Sequence, residues 1–205
     1  MRIVLEEYQT DWVNAFEKEK TLIASVLIDF HPTVEHIGST SIPGLCAKPT
    51  IDILVGLHDE IQLDQTISPM ISRGYTYFRK YEPAMPYRRL FARLKALTGR
   101  VPPEVIGLHD EFVRGQEFIS LANIHIIVKD TAEWPMDLAF RDFLRTHADL
   151  RDEYGRLKKE LSKREFKDTN DYNVAKDSFI KKTQAQALAW YNDQNRADGK
   201  FEMHP

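Results

Sequence analysis

A single cysteine, Cys46, stands in the 205 residues of this chain. An intramolecular disulfide is therefore excluded, and a reducing, cytoplasmic setting is the expectation. Long apolar runs are missing too. Nothing approaches the roughly 20 residues that span a bilayer. The opening MRIVLEEYQTDW meets acidic residues too early for a secretory leader. Positive charge is not in excess: the net charge is -3, which argues against a sequence-independent nucleic-acid coat but leaves room for a local basic groove. The G-x-S-x-G elbow and the H-E-x-x-H helix are absent, so hydrolase readings lack their inventory. Cys46 carries no mark of an activated nucleophile. No G-x-G-x-x-G opens a dinucleotide site. Nor is there a P-loop: Gly38 and Gly44 are spaced too widely, Lys48 does not follow the second glycine, and Pro49 stands where a hydroxyl would hold magnesium.

What is present is concentrated between Val34 and Leu57. An apolar segment, Val34 to Ile37, breaks at Gly38. A small hydroxyl-rich turn follows, Gly38-Ser39-Thr40-Ser41. Pro43, Gly44 and Lys48-Pro49 then lead into a second apolar run, Thr50 to Leu57. One charge, Asp52, interrupts that run. A lone carboxylate among branched aliphatics is costly unless a cation, a basic side chain or backbone N–H groups meet it. The stretch reads as strand, polar cradle, and strand with an embedded acid. The cradle's glycine permits close backbone approach to an anion.

The length suits one domain. Ile3 to Tyr8 reads as a short strand or extended arm. Trp12, Phe16, Ile23, Val26, Leu27 and Phe30 recur at helical spacing. Asp59 to Arg73 predicts a helix ended by Gly74. Tyr75 to Tyr81 and Tyr87 to Leu94 predict strands around a proline-rich turn. Residues 95–117 predict a long loop, and His109-Asp110-Glu111 within it is too contiguous for one ion. Phe118 to Val128 predicts a strand with Asn123 and His125 on one face and Ile124 and Ile126 on the other. Three helices follow, marked by Trp134 to Leu144, by Leu150, Tyr154, Leu157 and Leu161, and by Tyr172 to Trp190. The boundaries are an α/β core over 1–130, helices packed on it over 131–191 in the same domain, and a flexible tail over 192–205. The fold class is α/β (α+β), a mixed sheet covered by helices with a helical C-terminal segment.

Asp52 is the first candidate for chemistry, as a cation ligand or general base. Ser39 and Thr40 with Gly38 are suited to hold a phosphate through hydroxyl and backbone donors. Lys48, Arg89, Arg141 and Lys176 are the anion-binding candidates, chosen from a wider set that includes Arg88 and Arg145. Of Glu35 and His36, only one can face the acid's side of the sheet, and His36 is favoured.

The order Ile37-Gly38-Ser39, then an acidic strand at Asp52, resembles the signature of polymerase-beta-type nucleotidyltransferases. Within that superfamily, HIGSTSIPGL and AKPTIDILV are similar to the most distinctive segment of the GrpB family. Tyr8-Gln9-Thr10-Asp11-Trp12, Asn123-Ile124-His125, Ala139 to Arg145, and Tyr172 with Ala175-Lys176 extend the resemblance over most of the chain. It implies a nucleotidyltransferase-like fold and a nucleoside triphosphate or other anionic small molecule as partner. It also implies a divalent metal, Mg or Mn with Zn as an alternative, on Asp52 and His125, to which strand parity adds His36 as a candidate ligand. His125 takes the place of a third acid, completing coordination or accepting the acceptor's proton. One departure stands out. Active members alternate two acids on the strand, and here the second position is Leu54, on the same face as Asp52. Three functions follow: a metal-dependent transferase acting on a small molecule or protein acceptor, a catalytically decayed nucleotide- or anion-binding module, or a protein-interaction domain. GrpB-like segments also occur attached to dephospho-coenzyme A kinase, which favours the second. Oligomeric state is not fixed by the sequence.

Overall fold

The computed structural model describes residues 1–112, 115–129 and 131–197. Among them a five-stranded mixed sheet is sandwiched between two helical layers. The strands are β1 (Thr33–Ile37), β2 (Ile51–Leu57), β3 (Thr76–Tyr77), β4 (Arg88–Ala96) and β5 (Phe118–Val128), in the order β1-β2-β5-β4-β3. β2 and β5 run parallel and the other pairs antiparallel. This mixed α+β architecture is the one the sequence predicts.

Strand alternation divides the chemistry between two faces. Ile51, Ile53, Val55, Ile124, Ile126 and Phe91 form the larger apolar core with Trp12, Phe16 and Ile23 of α1 (Asp11–Val26). Two short helices, α2 (Ile61–Gln65) and α3 (Ile67–Ser72), complete that layer. The sequence predicts one helix there. The break falls at Thr66 because Pro69 has no N–H to donate to the Gln65 carbonyl one turn back. Gly74 closes the element as expected, at φ +82 with its N–H on the Ile71 carbonyl.

The opposite face carries Asp52, Leu54, Asn123, His125, Arg88 and Leu90, as the register shows. It is covered by α4 (Glu133–Thr146), α5 (Ala148–Ser162) and α6 (Thr169–Ala197). Leu54 is fully buried with Ile37, Ile127 and Leu138 beneath α4. The helix α6 runs on to Ala197, so the tail expected from residue 192 begins as helix; residues 198–205 lie outside the described residues.

One further expectation changes. The strand predicted over Tyr75 to Tyr81 is only Thr76–Tyr77 before a 3-10 turn at Arg79–Tyr81. The long loop predicted after β4 is docked on the sheet edge. Tyr77 donates to the Glu104 carbonyl and Ile106 donates back to Tyr77, both at 2.8 Å, and Ile106 is buried with Phe78 and Phe118. The loop thereby covers the β3 edge, which would otherwise expose unpaired backbone groups. Val113 and Arg114 lie outside the described residues. The N-terminal segment is an extended arm, with Glu6 exchanging both backbone bonds with Ala47.

Candidate functional site

The cradle begins where β1 ends. Gly38 takes φ +68 and ψ -174, a conformation that side chains disfavour. Ser39–Ser41 then make a single 3-10 turn, closed by Ser41 Oγ donating to the Gly38 carbonyl at 2.7 Å. Two arginines on α4 hold this turn from behind. Arg145 donates twice to the Ser41 carbonyl, at 3.0 and 2.9 Å. Arg141 donates to the His36 carbonyl at 3.1 Å and to Glu35 Oε2 at 2.7 Å.

In front of the cradle lies a cavity of about 300 Å³, at the lower end of the range for small-molecule sites. The sheet contributes Asp52, Leu90, Asn123 and His125 to its wall, and Thr50 stands just before β2. Ser39, Thr40 and Lys48 come from the connections, and Lys158, Tyr172, Asn173 and Lys176 from α5 and α6. Asp52 and Asn123 are paired in the parallel register, and Asn123 Nδ2 donates to Asp52 Oδ1 at 2.8 Å. His125 sits two residues on, with Arg88 Nη1 2.9 Å from its Nδ1. The same guanidinium reaches Asp137 on α4 at 3.4 Å. Burial raises the Asp137 carboxyl above the usual carboxylate range; Arg88 offsets part of this and Asp52 adds to it.

Three lysines face the cavity. Lys176 and Lys48 stand 4.4 and 5.6 Å from the Tyr172 ring centroid. Lys158 is buried, donates to the Cys46 carbonyl and lies 5.1 Å from the Tyr154 ring. Burial lowers Lys158 to about 7, with Lys176 and Lys48 pushing the same way and Asp52 opposing. Lys176 is lowered to about 8, by burial first and then by Lys48. Burial also pushes the Tyr172 phenol up to about 12. An enclosed group of amines with one carboxylate is short of negative charge, which is the electrostatic setting that suits an anion.

The structure thus gathers Ser39, Thr40, Lys48, Asp52, His125 and Lys176 on one cavity, with Gly38 packed against Asp52. Three other candidates lie elsewhere. His36 pairs with Ile53, on the sheet face away from Asp52; it is Glu35 that shares the acid's side. The His36 ring stacks on Phe16 and bonds Thr40 Oγ1 at 3.0 Å. Burial lowers it to about 4, with Arg145 and Arg141 adding, so it is a neutral core histidine. Arg89 pairs with Ile126 on that same far face and bonds Asp64 at 2.6 Å. Arg88, one residue earlier, has the correct parity. Arg141 is spent on Glu35, Asp142 and the His36 carbonyl.

Lys158 was not among the sequence candidates, yet its signal was present. It follows Tyr154 by four residues and precedes Leu161 by three, which places a lysine on the apolar stripe of its helix. Asn123 stood on the correct face of β5, but only its strand pairing makes it a partner of Asp52. Asp137 gave no sequence signal at all.

Comparison with known proteins agrees with this architecture. The family model described as GrpB protein matches residues 2–186. A UPF0157 protein of Halalkalibacterium halodurans is 34% identical over 187 residues, covering 91% of this chain and 83% of the relative. The crystal structure of conserved protein GrpB from Enterococcus faecalis superposes with a TM-score of 0.72 at 32% identity, covering 92% of this chain and 99% of that one. A protein of Mycolicibacterium paratuberculosis named dephospho-CoA kinase is 25% identical over 162 residues, 77% of this chain but 39% of the relative. By the extent of these matches, the chain belongs to the GrpB family.

Proposed function

We propose that the cavity binds a phosphorylated small molecule, a nucleotide in the first instance, and that it does so without a two-metal centre. The observation that carries this is the meeting of Lys48, Lys158 and Lys176 at one wall around a single carboxylate, Asp52. Ser39, Thr40 and Asn123 add short polar contacts suited to phosphate oxygens and a sugar hydroxyl. Nucleotides rank first because of the family's resemblance to nucleotidyltransferases.

The metal-dependent transferase is the competing reading, supported by Asp52 lying in the cavity. The ligand set does not fit two ions. Leu54 fills the place of the second acid and is sealed under Leu138. Among the described residues no three His, Cys, Asp or Glu side chains gather into a metal site. Two-metal catalysis needs carboxylates on both ions.

Calorimetry separates the readings. Nucleoside triphosphates, their monophosphates and dephospho-coenzyme A are titrated into the protein in EDTA, then with Mg²⁺ or Mn²⁺. Heat of binding that persists in EDTA, and that weakens at least about tenfold in Lys176→Ala, supports the anion pocket. Binding seen only with metal and abolished by Asp52→Asn overturns it for the transferase. No heat with any anion leaves the protein-interaction domain.

A further inference from the structure

We propose that Arg88 fixes the His125 imidazole in the tautomer that carries its proton on Nε2, so that the ring meets a bound anion as a hydrogen-bond donor and is not a ligand for a cation. A guanidinium has five N–H donors and no acceptor. Arg88 Nη1 lies 2.9 Å from His125 Nδ1, so Nδ1 must supply the lone pair. A neutral ring with an accepting Nδ1 holds its hydrogen on Nε2. That nitrogen then has no lone pair for a metal.

The polarity is the reverse of a metal-binding histidine. There the second ring nitrogen donates its hydrogen to a carboxylate or carbonyl, which makes the ligating nitrogen more basic. Here the second nitrogen accepts from a cation. The carboxylate is present, but one step removed: Asp137 takes Nη2 of Arg88 at 3.4 Å. The order is Asp137, Arg88, His125.

Arg88 is held in place by more than this pair. Its side chain is 14% exposed. Tyr87 packs 5.7 Å from the guanidinium carbon. The residue sits on β4 two positions before Leu90, which pairs with His125 across the sheet. The Arg88–His125 contact is therefore the diagonal neighbour relation of an antiparallel pair. Asp137 approaches from α4, an element packed over the same face. Arg88 is a positioning residue: it acts on the ligand through His125.

The consequence names a ligand class. With His125 donating through Nε2, the cavity offers amine and imidazole donors against one carboxylate, and that carboxylate already accepts from Asn123. The ligand that satisfies these donors is a phosphomonoester or polyphosphate. The ligand part rests on the anion-pocket reading; the tautomer does not.

The test separates the two. Protein labelled with ¹⁵N-histidine is examined by long-range ¹H–¹⁵N correlation of the rings at about pH 7.5, with His125 assigned through His125→Gln. The expected pattern is an unprotonated Nδ1 and a protonated Nε2 in the ligand-free protein, unmoved by one equivalent of Zn²⁺. A hydrogen on Nδ1, a doubly protonated ring, or a zinc-dependent shift of this ring overturns the proposal. Arg88→Met, checked for folding by circular dichroism, is expected to lose the single-tautomer signature; should that variant not fold, the wild-type spectrum alone decides. Inorganic tripolyphosphate then probes the donor. Its affinity is expected to fall about tenfold in His125→Leu and to be largely kept in His125→Gln, whose amide N–H still donates. Equal losses in the two variants overturn the donor role. Absence of tripolyphosphate binding to the wild type sinks the anion pocket and the donor role, while the spectrum still decides the tautomer.

Discussion

Gly38 lies directly against Asp52: a Cβ on the glycine would stand 2.5 Å from Oδ2 and 2.8 Å from the aspartate Cβ. The cradle and the acid are therefore one packed unit. Gly38→Ala meets two obstacles, the clash and a φ of +68. Gly74→Ala meets only the second, since φ is +82 but open space surrounds the position. The backbone term costs about 1–2 kcal/mol. Chemical denaturation is expected to show Gly38→Ala losing more than Gly74→Ala, and only the former is expected to weaken anion binding. Equal losses, with binding intact in both, would mean that the carboxylate moves aside freely.

Restoring the missing acid is expected to fail. Leu54 is wholly buried among Ile37, Ile127 and Leu138. Leu54→Asp places a carboxylate inside that apolar cluster under α4, at a cost of roughly 3 kcal/mol or more. Guanidinium unfolding with and without Mg²⁺ measures it. A variant as stable as the wild type that gains magnesium-dependent nucleotide binding would return the transferase reading.

Affinity and stability are expected to respond to pH in opposite senses. Lys158 and Lys176 are lowered by burial from 10.5 to about 7 and about 8. The unfolded chain therefore holds more protons than the folded one between pH 7 and 10.5, and this pair makes stability rise with pH across that window. Lys158→Met is expected to raise the unfolding midpoint most near about pH 6–7, with the gain shrinking as pH climbs. A bound anion raises both amines, so binding takes up protons. Affinity is expected to be level below about pH 7 and to fall as pH rises toward about 9. Calorimetry in two buffers of different ionisation enthalpy counts those protons; an affinity flat over this range would mean that the lysines do not meet the anion.

The resolved shape of the site shows where sequence reasoning reaches. Alternation on Phe118 to Val128 places Asn123 and His125 together because period two is a local property of one strand. The break at Gly38 and the acid at Asp52 are legible for the same reason. The choice between Arg88 and Arg89, and between Glu35 and His36, is not local. It depends on which residue of β4 meets His125 and which residue of β1 meets Asp52. A slip of one residue reverses every such assignment. Lys158 and Tyr172 come from helices far along the chain, and only the packing of α5 and α6 over the sheet brings them to Asp52.

Arg141 provides the last prediction, because the sequence offers it as an anion ligand and the structure gives it other partners. Its side chain is 11% exposed and bonds Glu35 across the boundary between α4 and β1. It also donates to the carbonyl just before the cradle. Removing it takes a donor from the Glu35 and Asp142 carboxylates and from the His36 carbonyl, so Arg141→Met is expected to lower stability. A double-mutant cycle with Glu35→Gln is expected to return a coupling of about 1–2 kcal/mol, less than for a fully buried pair because Glu35 is one-third exposed. Anion affinity of the folded variant is expected to stay within about twofold of the wild type, because the side chain lies outside the cavity wall. The opposite pattern, unchanged stability with affinity reduced tenfold or more, would make Arg141 a ligand-binding residue and would require α4 to release Glu35 when the anion enters.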